Sequence, residues 1–274
     1  MRYLSIFFTL FCFSCSDSQR VIKIKGSDTE VNLAVNLAER FRELKPDFTV
    51  SVSGGGSGLG IASILNGQAD IANSSRPLTD EEKKMFSKAG IAIKSVAFAE
   101  DATAFIVHKD FPMDSIDVPL LAKLLGGEYY SWKPVTGRDL PVTIYGRQSN
   151  SGTHSFVQKK LNTAFSRNAK EMNGNAQIIE SIKQDISGIG YVGAGYVSFN
   201  SQGIKVLKVA ERPGTPAISP LDRSAIISHQ YYFQRPLYQF IPASSWEKVQ
   251  AFLRFEDSKE GRKLIENEGY YILQ

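Results

Sequence analysis

From residue 21 onward the chain switches between two hydrophobic rhythms. VIKIK (21–25) repeats every second residue, the period of a strand, and GSDT interrupts it. Val31, Ala34, Val35, Ala38 and Phe41 then recur at three- and four-residue intervals, which predicts a helix. The alternation continues. FTVSVS reads as a strand, and Leu59, Ile61, Ala62 and Leu65 mark a helix after a glycine run. ADIANSS is a strand running into a loop, and Thr79 with Glu82 forms a capping-box signature before the next helix. Two strands are predicted at 91–98 and 103–108, a helix over 116–125 and a strand at PVTIYG. Helices at SFVQKKL and 176–184 follow, then a small-residue strand and turn at GIGYVGAGYV. A strand at PLYQFI and two helices over 244–268, the first opened by Ser244 with Glu247, complete the series. This order predicts an α/β fold with mostly parallel strands.

The junctions carry the chemistry. Four times a strand runs into Gly, Ser, Thr or Asn and a helix begins, at 26–29, 54–60, 73–76 and 147–153. In open α/β sheets ligands gather beyond the carboxyl ends of the strands, where helix N-termini point. Unpaired N–H groups and a partial positive charge there suit an anion. Arg76 and Arg147 stand beside two of the junctions, and arginine can grip oxyanion oxygens with paired donors. Taken singly, a Gly/Ser/Thr junction is ordinary turn and capping chemistry. The four together point to an oxyanion pocket.

The glycine run excludes several catalytic readings by spacing. Gly55-Gly56-Ser57-Gly58 is followed by Leu59, so there is no G-x-S-x-G elbow. Gly60 is followed by Ile61, which breaks a P-loop, and Leu59 also stands where a dinucleotide fingerprint needs glycine. His108, His154 and His229 show no metal spacing. His154 lies close enough in sequence to serve Ser151 as a base, but a capping or solvent-facing role is the plainer reading. No catalytic residue, cofactor or metal site is expected.

Composition narrows the class. With 42% apolar and 22% charged residues in 274, the chain has the makeup of a globular protein of one or two domains. A net charge of +4 without a basic stripe gives no footprint for nucleic acid. The opening MRYLSIFFTLFCFSCSDSQR places one basic residue before an apolar run, the layout of an export signal. Both cysteines lie in that segment. CFSC resembles a lipobox with Cys12 in place of the usual aliphatic residue, so Cys15 is the expected lipidation site and a lipid the expected membrane tether.

GSDT, GGGSGLG, ADIANSSRPLT and GRQSNSGTHSF, in this order, resemble the PstS-type phosphate-binding proteins of bacterial phosphate ABC transporters. GIGYVGAGYV, YYFQRPLYQFI and AFLRFEDSKEGRKLIENEGYYIL extend the resemblance to the C-terminus. It implies a two-lobed periplasmic-binding-protein-like fold of type II, closing on inorganic phosphate. On this reading residues 1–20 are leader and tether, 21–104 with 233–274 form lobe I, and 105–232 form lobe II. Crossover segments are expected near 101–105 and 232–238.

The resemblance also implies ligands. Arg147 is the charged one, with Ser151, Gly152 and Thr153 as donors. Ser57 is the hydroxyl of the glycine loop, with Gly56 and Gly58 giving backbone access. Ser27, Asp28 and Thr29 come from the first loop, and Ser74, Ser75 and Arg76 from the third. Two positions depart from the family: serine stands at 75 and 149 where well-studied members carry aspartates. The first of those aspartates accepts from protonated phosphate and repels sulfate, and the second pairs with the arginine. Asp28 is a candidate replacement for the first. The implied role is that of an exported, periplasmic or surface binding protein, monomeric, non-enzymatic and serving a transporter permease. A receptor for another tetrahedral oxyanion, a phosphate sensor and, less favoured, a serine-dependent hydrolase are the alternatives.

Overall fold

A computed structural model of the protein describes residues 20–198 and 201–273, so Cys15 and the leader lie outside the described residues. The first third of the chain folds as strand–helix pairs: β1 (Arg20–Gly26), α1 (Val31–Leu44), β2 (Phe48–Ser53), α2 (Ser57–Leu65), β3 (Ile71–Ser74) and α3 (Asp80–Lys88). β2 and β3 flank β1, both parallel to it, and parallel neighbours require the crossovers that α1 and α2 supply. Then comes β4 (Ile93–His108), followed by β5 (Ser115–Asp117), α4 (Val118–Gly126), α5 (Lys133–Thr136) and β6 (Thr143–Arg147). α6 (Gly152–Leu161), β7 (Lys170–Met172), α7 (Asn175–Gln184), β8 (Gly188–Gly193) and β9 (Ile204–Ala210) continue the chain. α8 (Arg223–Ile227), β10 (Gln234–Pro242), α9 (Trp246–Glu256) and α10 (Lys259–Asn267) end it.

The strands run β2-β1-β3-β10-β4-β8-β6-β7, with β9 on β4 and β5 on β9. Two long antiparallel strands, β4 and β10, join two halves of this sheet. Residues 93–102 of β4 pair with β10, whereas residues 103–108 pair with β8 and β9. The two strands expected at 91–98 and 103–108 are thus one. Glu100 and Asp101 lie between them, and Asp101 faces Arg235 in the register of β10 and bonds to its guanidinium. A charge with its partner opposite does not interrupt a strand.

Separate apolar groups fill the two halves. Phe105, Trp132, Val157, Ile178 and Tyr191 belong to one, and Ile22, Leu33, Phe41, Ile71 and Phe252 to the other. A smaller group under α2 holds Ile61, Ile64, Phe86 and Phe240. Gly60 lets α2 lie on β1, since a Cβ there would stand 2.5 Å from the Lys25 carbonyl oxygen. The predicted capping box forms, with Thr79 accepting from the Glu82 amide and Glu82 from the Thr79 amide. The expected opening at Ser244 does not: residues 243–245 form a 3-10 turn before Trp246, and Ser245 donates to Asp70 instead of capping the helix.

Glu256 is buried among this apolar packing, where its carboxylate accepts from Gln239. Burial raises its pKa from 4.5 to about 8. Between those values the folded protein holds a proton that the unfolded chain has lost. Stability therefore falls as pH rises through that window, by about 1.4 kcal/mol per pH unit for one such group. Glu256→Gln is expected to leave the melting temperature unchanged near about pH 4, below the unfolded value, and to raise it near about pH 8.5. A difference between the two proteins that does not vary with pH would contradict this assignment.

Candidate functional site

The predicted junctions meet where the two halves touch. β1 delivers Ser27, Asp28 and Thr29, and the loop after β2 delivers Ser57 at the N-terminus of α2. β3 ends in Ser74, and Ser75 follows it. From the other half, β6 ends in Arg147, and Ser151, Gly152 and Thr153 open α6. Except for Asp28, which is partly exposed, these side chains are buried.

A chain of hydroxyls lines one side. The Thr29 amide donates to Ser27 Oγ at 3.2 Å, and Ser27 Oγ donates to Ser75 Oγ at 3.2 Å. The Ser75 amide donates to Ser57 Oγ at 3.1 Å, and the two serine hydroxyls stand 3.5 Å apart. Gly152 lies directly against this pair: a Cβ on it would fall 2.3 Å from Ser57 Oγ and 2.5 Å from Ser75 Oγ. Thr153 Oγ1 lies 2.9 Å from Thr29 Oγ1, so the two halves are in hydrogen-bond contact. The Gly58 amide adds another such bond, to the Asn150 carbonyl at 3.0 Å.

Arg147 supplies the charge. Its side chain is 2% exposed, and its Nη2 donates to the Asn173 carbonyl. Its backbone amide donates to the Tyr191 hydroxyl, and the ring of His154 bonds to its carbonyl at 2.9 Å. A carbonyl only accepts, so His154 carries its proton on Nδ1. Nε and Nη1 of Arg147 make no hydrogen bond with any described residue. Burial lowers the guanidinium pKa, and Asp28 opposes that shift. Buried donors without acceptors are costly, and an anion is the partner that satisfies them.

Asp28 resolves one of the two family departures. Its Oδ2 stands 3.4 Å from Arg147 Nη1 and accepts 2.8 Å bonds from the amide and side chain of Asn175 at the start of α7. The arginine's carboxylate thus comes from the opposite half of the molecule, while Ser149 is exposed. Asp28 therefore pairs with Arg147, the part that the resemblance gives to the aspartate absent at 149.

Other expected ligands are placed differently. The amides of Gly56 and Gly58 donate to the Gly26 and Asn150 carbonyls, so these glycines give close approach rather than free donors. Gly56 also has φ +109°, a conformation that favours glycine. The Ser74 hydroxyl donates to the Arg76 carbonyl. The Arg76 guanidinium makes two 2.7 Å bonds to Glu82 and does not join the group around Arg147. With Ser75, Lys83, Lys160 and Tyr232 it lines an adjacent cleft of about 840 Å³. Ser151 Oγ accepts from the His154 amide as the N-cap of α6. Among the described residues no carboxylate or imidazole bonds to the hydroxyl of Ser57 or Ser151, which removes the geometric basis for a serine nucleophile.

Sequence reading missed several partners: Asn175, Glu30, Asp101 and Arg235. Glu30 is fully buried beside Ser27 and Arg235, and burial lifts its pKa to about 8, leaving it uncharged at neutral pH. Asp101 and Arg235 form a buried pair at 2.8 Å. The available signal was a charge inside an apolar strand pattern, in AFAEDATAFIV and in YYFQRPLYQFI, with opposite signs.

A family model described as a PBP superfamily domain matches residues 15–255. The chain is 30% identical over 269 residues to the phosphate-binding protein PstS of Pseudomonas aeruginosa, a match covering 90% of this chain and 81% of that protein. It is 27% identical over 276 residues to PstS of Borreliella burgdorferi, covering 96% and 94%. Among solved structures, a candidate phosphate ABC transporter substrate-binding protein from Clostridium perfringens, with bound phosphate, superposes with a TM-score of 0.82 at 25% identity. That superposition covers 93% of this chain and 100% of the other. The chain belongs to the PBP superfamily and, within it, to the PstS family of phosphate-binding proteins.

Proposed function

We propose that this protein captures inorganic phosphate between its two halves and delivers it to the permease of an ABC transporter, without catalysing a reaction. The observation that carries this reading is Arg147, buried among hydroxyl groups with Nε and Nη1 in no hydrogen bond to any described residue. Ser57, Ser75 and Thr153 are the hydroxyl ligands, Gly152 offers its amide at the start of α6, and Asp28 holds the arginine in place. Residues 21–104 with 233–274 and residues 105–232 act as lobes that move about β4 and β10. The Asp28–Arg147 pair spans the halves, so closure brings together the charge and its counter-charge. The protein works outside the cytoplasm as a monomer, tethered by a lipid on Cys15. Among the described residues no helix is long and apolar enough to cross a membrane.

A broader oxyanion specificity has a specific observation in its favour. Ser75, unlike an aspartate, can donate to a fully deprotonated oxygen as well as accept from a protonated one. Calorimetry with phosphate, sulfate, arsenate and molybdate across pH tests both readings. Phosphate binding that persists in excess sulfate is the expected result. Competition by sulfate would favour the broader receptor, and no heat with any oxyanion would overturn the assignment.

A further inference from the structure

Arg235 sits on β10 directly opposite Asp101 on β4, where the two shared strands pass between the halves. It is 3% exposed, and Asp101 is fully buried. Nε and Nη2 both donate to Asp101 Oδ2, at 3.1 and 2.8 Å. The same Nη2 also donates to Thr153 Oγ1 at 2.9 Å and Thr29 Oγ1 at 3.3 Å. One guanidinium therefore reaches a hydroxyl from each half while anchored to the strands that join them. It also lies close enough to Arg147 for its charge to lower the Arg147 pKa.

Counting hydrogens shows what this does. A guanidinium only donates, so both threonine oxygens accept from Arg235, sharing the Nη2 hydrogen that Asp101 does not use. The threonines also bond to each other at 2.9 Å, which uses the hydrogen of one of them. The other threonine then accepts twice, from Arg235 and from its neighbour, and both its lone pairs are filled. Its own hydrogen has to point elsewhere. The threonine that donates to its neighbour keeps one lone pair, so the pair presents one hydrogen and one lone pair, against one hydrogen and three lone pairs without Arg235, a shift in polarity that favours an anion. Without Arg235 three lone pairs rather than one could turn toward an incoming oxyanion.

We infer that Arg235 is a positioning residue for anion capture, biasing the Thr29 and Thr153 hydroxyls toward donation when the two halves are together. This rests on the phosphate-capture reading above. Removing Arg235 alone strands a buried Asp101, so the test is made in the Asp101→Asn background. Calorimetry with inorganic phosphate is run on four proteins: that background, the background with Arg235→Gln, with Thr29→Val and Thr153→Val, and with all of these changes. Arg235→Gln is expected to weaken phosphate binding at least about tenfold when the threonines are present and less than about twofold when they are valines. A merely structural arginine would cost the same in both backgrounds, and that result, or no cost in either, overturns the inference.

The valine pair in the wild-type chain keeps the Arg235–Asp101 bond and gives a second reading. It should lose at least about tenfold in affinity, and unchanged affinity overturns the inference without touching the capture reading. No phosphate binding by the wild-type chain overturns both.

Discussion

Arg147→Met is expected to weaken phosphate binding by roughly 30-fold to a few thousand-fold while leaving a folded protein. Truncating one member of a buried, hydrogen-bonded charge pair costs about 2–5 kcal/mol, and 1.4 kcal/mol is tenfold in affinity. The upper part of that range applies because Asp28 stays behind. With the guanidinium gone, a carboxylate 3.4 Å from its former Nη1 faces the anion without compensation. The fold should survive, since among the described residues the lost side chain makes one hydrogen bond, to the Asn173 carbonyl. Its backbone bond to Tyr191 and the His154 bond to its carbonyl do not depend on the side chain. Adding Asp28→Asn to Arg147→Met should recover part of the lost affinity by removing that repulsion. Calorimetry with phosphate on the single and double variants checks both statements. Wild-type affinity in Arg147→Met would place the anion elsewhere.

What the sequence disclosed follows from the range of the interactions involved. Junction residues sit at element boundaries, and boundaries are marked locally by glycine, serine and the onset of helical spacing. Ser57, Ser75, Arg147 and Thr153 were therefore legible. Partners set by tertiary contact were not. Asp28 reads as one more loop polar group until the chain brings it against Arg147 and Asn175, 119 and 147 positions away. Asp101 falls in the gap between two expected strands, and its neutralising partner lies 134 residues further on. The amides of Gly56 and Gly58 read as free donors because their carbonyl partners, Gly26 and Asn150, are also distant in sequence. Arg76 is the converse case. Its partner Glu82 is six residues away, within the capping box itself, so its structural role was open to local reading.

Gly152→Ala separates closure from the fold, and it is expected to weaken phosphate binding roughly ten- to a hundredfold. The added methyl would lie 2.3 Å from Ser57 Oγ and 2.5 Å from Ser75 Oγ, far inside van der Waals contact. Forcing an extra carbon into a packed site costs about 1–3 kcal/mol when the neighbours cannot yield. These neighbours are held: Ser57 Oγ accepts from the Ser75 amide, and Ser75 Oγ accepts from Ser27. Both serines belong to one half and Gly152 to the other, so the clash vanishes if the halves separate. Within α6 itself alanine is a better helix former than glycine. The ligand-free variant should therefore melt at or above the wild-type temperature, while phosphate should neither bind tightly nor compact the molecule in X-ray scattering. Ser75→Gly introduced beside Gly152→Ala removes one of the two clashing oxygens and should restore part of the closure. Wild-type affinity in Gly152→Ala would mean that the contact of Gly152 with Ser57 and Ser75 is not required for binding, and the wall of the site assigned to α6 would have to be redrawn.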